Sequence, residues 1–278
     1  MNRTAVLITT FNRKSKTLGC LRSIRALKGE NCFGIYVVDG GSTDGTVDAV
    51  RAFDPDIHVS SHPGLFWAGG MIQAWKDALA GGAPYDYFFL VNDDTVLLPD
   101  CMRSLLGAEG LYPGGIYVGA TYDPDTHKYS YGGMKLKKPG SMKADVVLPS
   151  DSPQAIDMGN ANIMLVSGTA FEKLGMLSDA YTHGIADYDY TLRAVSNGVP
   201  VVLAAGWCGE CKDDHGDSWL PQTAPLSDRL RYLYSPKGLA YKEYLFWVRR
   251  FFPGQYVVAA VKLWMKTLFP VLWEKFKK

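Results

Sequence analysis

Net charge of either sign is what this sequence lacks most plainly. Across 278 residues, 29 Lys and Arg face 28 Asp and Glu, a formal charge of +1. The charge is balanced and no basic run is interleaved with exposed-looking aromatics, so no nucleic-acid partner is expected. Cysteines are sparse and odd in number: Cys20, Cys32, Cys101, Cys208 and Cys211. Spread over a chain of this size, they argue against a disulfide framework and for a reducing compartment, the cytoplasm. Long apolar runs are missing too. Met1-Asn2-Arg3-Thr4 leads straight into a short strand, without the apolar region of about ten residues that a signal peptide needs. No charge-free stretch of about twenty residues offers a spanning helix. The glycine-rich segment after Val38 has neither the Gly-x-Gly-x-x-Gly spacing of a dinucleotide fingerprint nor the Gly-Lys-Ser/Thr of a Walker loop.

What the chain does have is alternation, at a length that suits one large α/β domain or two small ones. Ala5 to Ile8 reads as a strand ending in the polar loop Thr9-Thr10-Phe11-Asn12-Arg13, and Leu18, Leu21, Ile24, Ala26 and Leu27 then recur at helical spacing. The unit repeats with Ile35 to Val38, the loop from Asp39 to Thr46, and a helix through Val47, Val50 and Phe53, with Ser42 or Thr43 as expected N-cap. A third strand near Ile57 to Ser60 leads to His62-Pro63-Gly64-Leu65-Phe66-Trp67-Ala68-Gly69-Gly70 and a helix with Ile72, Trp75 and Leu79. The fourth strand, Tyr87 to Val91, stops at Asn92-Asp93-Asp94. Such alternation predicts a mostly parallel sheet flanked by helices, with its polar loops at one edge and the Asp39, Trp67 and Asp93 regions in one cleft. After Pro99 the pattern loosens. Ile116 to Gly119, Tyr129 to Leu136, Ala144 to Leu148 and Asn162 to Val166 read as strands, and a short helix ends near Gly175. The longer loops of this half suit an acceptor-binding surface.

Asp93 and Asp94 lie just past a strand's carboxyl end, where oxygen ligands can hold a hard divalent cation. A capped strand-to-helix turn explains them equally well, since Leu98-Pro99-Asp100 begins a helical pattern. A helix stopping at Asn197-Gly198 puts Asp187 at or just before its N-terminus, as a cap or as a group aimed into the cleft. Asp189, two residues on, does not share its face; an anchoring role suits Asp189, and a carboxylate partner suits Arg193. The small residues at Gly69 and Gly70 permit close backbone approach to a ligand. Trp67 can stack on a sugar or base, or pack as a helix-start aromatic. Cys208-Gly209-Glu210-Cys211 with His215 lacks the second Cys-x-x-Cys of a structural zinc site.

Taken in order, Thr10-Phe11-Asn12-Arg13, Val38-Asp39-Gly40-Gly41-Ser42-Thr43-Asp44-Gly45-Thr46, Asn92-Asp93-Asp94, Asp187-Tyr188-Asp189-Tyr190-Thr191-Leu192-Arg193 and His215-Gly216-Asp217-Ser218 resemble the motifs of glycosyltransferase family 2, especially its bacterial rhamnosyltransferase-like branch. The resemblance implies an inverting enzyme of GT-A fold, an α/β architecture with a Rossmann-like, mostly parallel central sheet. Residues 1–228 would form the catalytic domain, 1–107 for the nucleotide sugar and 108–228 for the acceptor, with 229–278 as an aromatic and basic helical tail. It implies a UDP- or dTDP-sugar donor touched by Thr9, Thr10, Phe11, Arg13, Asp39, Gly41, Ser42, Trp67, Gly69, Asn92 and Asp93. Mg²⁺ or Mn²⁺ would rest on Asp94, Asp93 and His215, with Asp187 as general base. The implied acceptor is a glycan, lipid-linked, in bacterial surface polysaccharide synthesis. Two departures stand out: Gly40 where many members carry a second acidic residue, and Ala186 where Glu usually precedes the catalytic Asp.

From Leu230 to Phe252 the tail is aromatic and basic, and Pro253-Gly254 breaks it. Val257, Val261, Trp264 and Leu268 then recur at helical spacing, with Lys262, Lys266, Lys275, Lys277 and Lys278 in or after that segment. Such a helix suits the surface of an anionic membrane, its cytoplasmic face here, or docking on its own domain or a second subunit. Two other classes stay open: a sugar-phosphate nucleotidyltransferase, for which Asn12-Arg13-Lys14 is a faint match, and a non-catalytic nucleotide-sugar-binding protein.

Overall fold

The structure, a computed structural model, describes residues 2–29, 32–82, 84–213 and 224–271. The first half alternates β1 (Arg3–Thr10), α1 (Lys14–Arg25), β2 (Cys32–Asp39), α2 (Thr46–Phe53), β3 (His58–Ser61), α3 (Trp67–Ala80) and β4 (Tyr87–Val91). There follow β5 (Val96–Leu97), α4 (Cys101–Leu111), β6 (Ile116–Tyr122), β7 (Tyr129–Tyr131), β8 (Gly133–Leu136), β9 (Ala144–Val147), β10 (Gln154–Ala155), β11 (Met158–Gly159) and β12 (Ile163–Ser167). The chain continues through α5 (Gly168–Leu174), α6 (Ala186–Ser196), β13 (Val201–Glu210), α7 (Leu226–Tyr234), α8 (Tyr241–Phe251), a 3-10 turn at Pro253–Gln255 and α9 (Tyr256–Leu268).

The main sheet runs β10-β13-β6-β12-β4-β1-β2-β3. β4, β1, β2 and β3 are parallel neighbours, as the alternation predicts. β12 enters antiparallel between β4 and β6, pairing Val91 with Ile163 and Leu165 with Tyr117. β4 shows why its residues read as one apolar run. Phe88 and Leu90 join the core on one face, and Tyr87, Phe89 and Val91 the core on the other, so both faces are dry. On the first face Trp75 of α3 is fully buried against Phe88, Phe171 and Tyr190. Burying roughly 200 Å² of indole is worth about 5 kcal/mol in transfer free energy. Gly70 lets α3 lie on β1: a Cβ there would stand 2.1 Å from the Thr9 hydroxyl oxygen.

Several local expectations change. α2 begins after Gly45, which takes the N-cap position without a side-chain cap bond, and Asp44 just before it accepts the Thr46 N–H at its Oδ1 (3.0 Å). Ser42 Oγ instead accepts from the Asn12 N–H (2.8 Å), so it clasps two loops in place of capping a helix. β13 was not expected as a strand. Its Cys208 faces the dry core under α4 and Cys211 meets Asn162, so the Cys-x-x-Cys spacing is strand geometry.

The C-terminal segment forms α7, α8 and α9, and the break at Pro253-Gly254 falls in the 3-10 turn. Leu245, Trp247, Val248 and Phe252 pack with Tyr181, Ala186 and Leu192 of the α6 region. α9 turns Ala259 and Leu263 inward and leaves Val257, Val258 and Val261 more than half exposed. No helix among the described residues is long and apolar enough to cross a membrane.

Candidate active site

A cavity of about 580 Å³ opens where β1, β2 and β4 end. Register explains the gathering. Thr10 pairs with Asp39 and Leu7 with Leu90, so the loops after β1, β2 and β4 leave the sheet side by side. Asn12, at φ 52°, bends the first loop back, and its Oδ1 accepts the Thr43 N–H at 2.8 Å. Of the expected residues, Thr9, Thr10, Phe11, Arg13, Gly41, Trp67, Asn92, Asp93, Asp94 and Asp187 line this cavity.

Asp39, Ser42 and Gly69 are not among the lining residues. Asp39 is only 2% exposed, and its carboxylate accepts the N–H groups of Gly41 (3.0 Å) and Ser42 (2.9 Å). It shapes the loop from behind, and the backbone of Gly40 and Gly41 faces the cavity. The departure at Gly40 has a steric cause: a Cβ there would sit 3.0 Å from the Leu65 carbonyl oxygen. Gly69 lies under Leu65, whose Cδ2 would stand 3.1 Å from a Cβ. His215 lies outside the described residues.

The carboxylate pair does not cap a helix. Arg13 Nη1 donates to Asp93 Oδ1 (3.2 Å) and Asp94 Oδ2 (2.6 Å), and Lys16 Nζ stands 3.8 Å from the latter. Asp100 takes the N-cap position of α4, with no side-chain cap bond. Asp93 is 6% exposed, and its Oδ2 is buried without a hydrogen-bond partner among the described residues. Burial pushes its pKa up to about 6, against the pull of Arg13 and with a further push from Asp94. Trp67 packs in the core and also lines the cavity, and its indole N–H donates to Asn92 Oδ1 at 2.7 Å. That bond occupies the Asn92 carbonyl and leaves it a secondary oxygen donor.

No group of three or more His, Cys, Asp and Glu converges among the described residues. The donor set nevertheless fits a hard divalent cation. Mg²⁺-type sites commonly use one or two carboxylates, with substrate phosphates and water completing the shell. The orphaned, buried Asp93 Oδ2 is the oxygen such an ion would satisfy, and Arg13 now holds the pair's charge.

Asp187 stands in the first turn of α6, after Ile185 at φ 71°. Its Oδ2 accepts the Ala161 N–H (3.3 Å) and its Oδ1 the Tyr188 N–H (2.9 Å), and burial pushes its pKa up. Asp189 faces away, fully buried, taking Tyr181 Oη (2.8 Å), Arg193 Nε (2.9 Å) and Arg250 Nη1 (3.0 Å). It ties α6 to α8. Glu243 of α8 likewise accepts the N–H and hydroxyl of Thr182, beside the cavity residues His183 and Gly184.

Tyr131, Asn160, Ala161, Asn162, His183 and Lys237 also line the cavity and were not foreseen. The Asn160-Ala161-Asn162 group had a signal, a polar stretch abutting an apolar strand, as Asn92 does. Strand pairing places it, since the Asn92 N–H donates to the Asn162 carbonyl at 3.2 Å. Lys237 had none. The fold of α7 and α8 alone brings it to the cavity, its Nζ 5.8 Å from the Phe66 ring centroid.

Comparison with known proteins gives three findings. The family model for Glycosyl transferase family 2 matches residues 5–162. No curated protein matches. Among solved structures, the mannosyltransferase PcManGT from Pyrobaculum calidifontis, in complex with GDP-Man and Mn²⁺, aligns at TM-score 0.54 and 16% identity over 84% of this chain and 61% of that one. S. aureus TarS 1-349 aligns at 0.57 and 11% over 96% and 81%. GalNAc-T7 with UDP, GalNAc and Mn²⁺ aligns at 0.58 and 11% over 76% and 43%. The chain thus spans about three fifths of the mannosyltransferase, and at these identities the likeness is one of fold.

Proposed function

The chain belongs to glycosyl transferase family 2 and has its GT-A fold, and from that premise we propose that it transfers a sugar, with inversion, from a nucleoside diphosphate to a hydroxyl of a glycan acceptor. One observation carries the reading: Asp93, Asp94 and Asp187 line the same cavity, with the Gly40–Gly41 backbone open beside them. The loop held by Asp39 receives the nucleoside. Asp93 and Asp94, joined by His215, hold Mg²⁺ or Mn²⁺, which when bound supplies positive charge to the diphosphate. Arg13 releases the carboxylates and turns to the phosphates, and Trp67 fixes Asn92 beside them. Asp187 takes the proton of the acceptor hydroxyl at its carboxylate, a role helped by burial, since an upward-shifted carboxylate is a stronger base.

The first half of the chain, 1–107, binds donor, 108–228 meets acceptor, and the helices beyond 229 brace the acceptor side. The motif order supports a rhamnosyltransferase-like place in bacterial surface polysaccharide synthesis, on a lipid-linked glycan. The open valine face of α9, with Lys262 and Lys266 on the same helix, supports peripheral contact with the cytoplasmic face of a membrane or with a second copy. Co-sedimentation with anionic liposomes separates those two.

The reading is tested by thermal unfolding of the full chain with a panel of nucleotide sugars and Mn²⁺. Stabilisation by one base and sugar class is the expected result. Failure of every nucleoside diphosphate to stabilise the protein overturns it.

A further inference from the structure

Trp207 has no place in the chemistry above, yet the fold goes out of its way to present it. β13 runs parallel to β6, and its register slips twice, between Leu203 and Trp207 and between Trp207 and Gly209. Gly206 permits the bulge, at φ +68°, with its N–H donated to the Ser150 carbonyl. Bulges of this kind re-aim side chains. Here the result is an indole left 38% exposed.

The ring is not isolated. Tyr122 meets it edge-on, centroids 5.5 Å apart at 83°, and Tyr129 lies 6.5 Å away. Tyr129 belongs to β7, two residues before Tyr131, which lines the catalytic cavity. The β6–β7 pairing slips here, Tyr131 opposite Thr121 but Tyr129 opposite the next residue, Tyr122, so the bulge at Ser130 turns Tyr129 to the Tyr122 side and leaves Tyr131 on the other. β7 thus joins the cavity wall at Tyr131 to the aromatic cluster of Tyr129, Tyr122 and Trp207 within two residues of backbone. Hydrogen-bonding groups border this cluster: Glu210, which accepts the Tyr122 hydroxyl at 2.7 Å, and the half-buried Ser130, whose hydroxyl is held by the buried Thr121.

An aromatic face offers a flat apolar surface to the C–H face of a pyranose, and the surrounding carboxylate, hydroxyls and indole N–H match its equatorial hydroxyls. We propose that Trp207, Tyr122 and Tyr129 form a saccharide subsite that holds an acceptor glycan away from its reacting end. The proposal rests on the glycosyltransferase reading for the word acceptor. It adds that the acceptor is an oligosaccharide long enough to reach past Tyr131, and that Trp207 governs its affinity without touching the donor.

The test uses the full chain, its Trp207→Ala and Trp207→Phe variants, and an array of immobilised oligosaccharides, neutral and acidic, of three or more sugars. Nucleotide-sugar stabilisation is measured on the same proteins. The expected result is glycan binding by the wild type, a loss of about tenfold or more in Trp207→Ala, retention of most affinity in Trp207→Phe, and equal nucleotide-sugar stabilisation in all three. Should Trp207→Ala unfold early, Trp207→Leu replaces it, keeping apolar bulk without an aromatic face. Equal glycan binding by wild type and variant, or none by the wild type, overturns the subsite. If no nucleotide sugar stabilises any of the three, the transferase reading fails, and the glycan array still decides the subsite.

Discussion

Acidification probes the carboxylate pair directly. Burial holds Asp93 up at about 6, where an ordinary Asp sits at 3.8. A cation on this carboxylate competes with its proton, so the apparent Mn²⁺ dissociation constant grows as the proton occupies the site. With one proton and a pKa near 6, affinity is nearly level above about pH 7 and about tenfold weaker at pH 5, whereas a carboxylate at its ordinary value would lose almost nothing in that window. The assay is paramagnetic resonance of free Mn²⁺ titrated into the protein alone at fixed ionic strength, since the terminal phosphate of a nucleotide would itself titrate at about 6. Stability runs the other way. Because the folded pKa is raised, the native state keeps a proton that the unfolded chain has already lost between about pH 4 and pH 6. The cost of burying the charge is complete above about pH 6, on the order of 3 kcal/mol, and vanishes below about pH 4. An Mn²⁺ affinity unchanged from pH 7 to pH 5, or an Asp93→Asn variant with the wild-type pH slope, refutes the reasoning.

Asp187→Asn should bind nucleotide sugar as the wild type does and lose about two to four powers of ten in transfer, read in a coupled nucleotide-release assay; loss of nucleotide binding alongside would mark its bonds to Ala161 and Tyr188 as structural. Asp189→Asn leaves Arg193 and Arg250 facing a neutral amide in a buried site, at a cost of about 3–5 kcal/mol. Calorimetry should show a melting temperature lowered by roughly 10 °C, and a shift under about 2 °C would mean the three side chains are not coupled.

The first half of the chain was legible because its signals are local. Each apolar run from Ala5 to Val91 is followed by its own polar loop, and parallel strands with helical crossovers oblige those loops to share an edge. The second half depends on pairings far apart in sequence. The Val201-Val202-Leu203 run between Pro200 and Gly206 does carry a local strand signal that went unread; what no local pattern shows is its pairing with Ile116 to Tyr122, roughly 85 residues earlier. Asp39 shows the other limit. Its position after β2 was evident, but only the backbone conformation reveals that its oxygens serve Gly41 and Ser42. The C-terminal helices looked like a tail because aromatic and basic residues suit a membrane surface as well as a protein one. The salt bridge from Arg250 to Asp189 spans 61 residues and has no local trace.

β12 settles how the two halves can move. It is hydrogen-bonded on one edge to β4, beside the carboxylate pair, and on the other to β6, whose far neighbour carries Trp207. A hinge between the halves would have to tear this ladder, at about 1 kcal/mol or so for each backbone bond left unmade. The sheet is therefore a rigid chassis, and opening and closing over substrates falls to its rim. Ligand-induced change should appear in hydrogen exchange of the loops after β1, β2 and β3 and of the α7–α8 connection, with the amides of β12 among the slowest in the molecule.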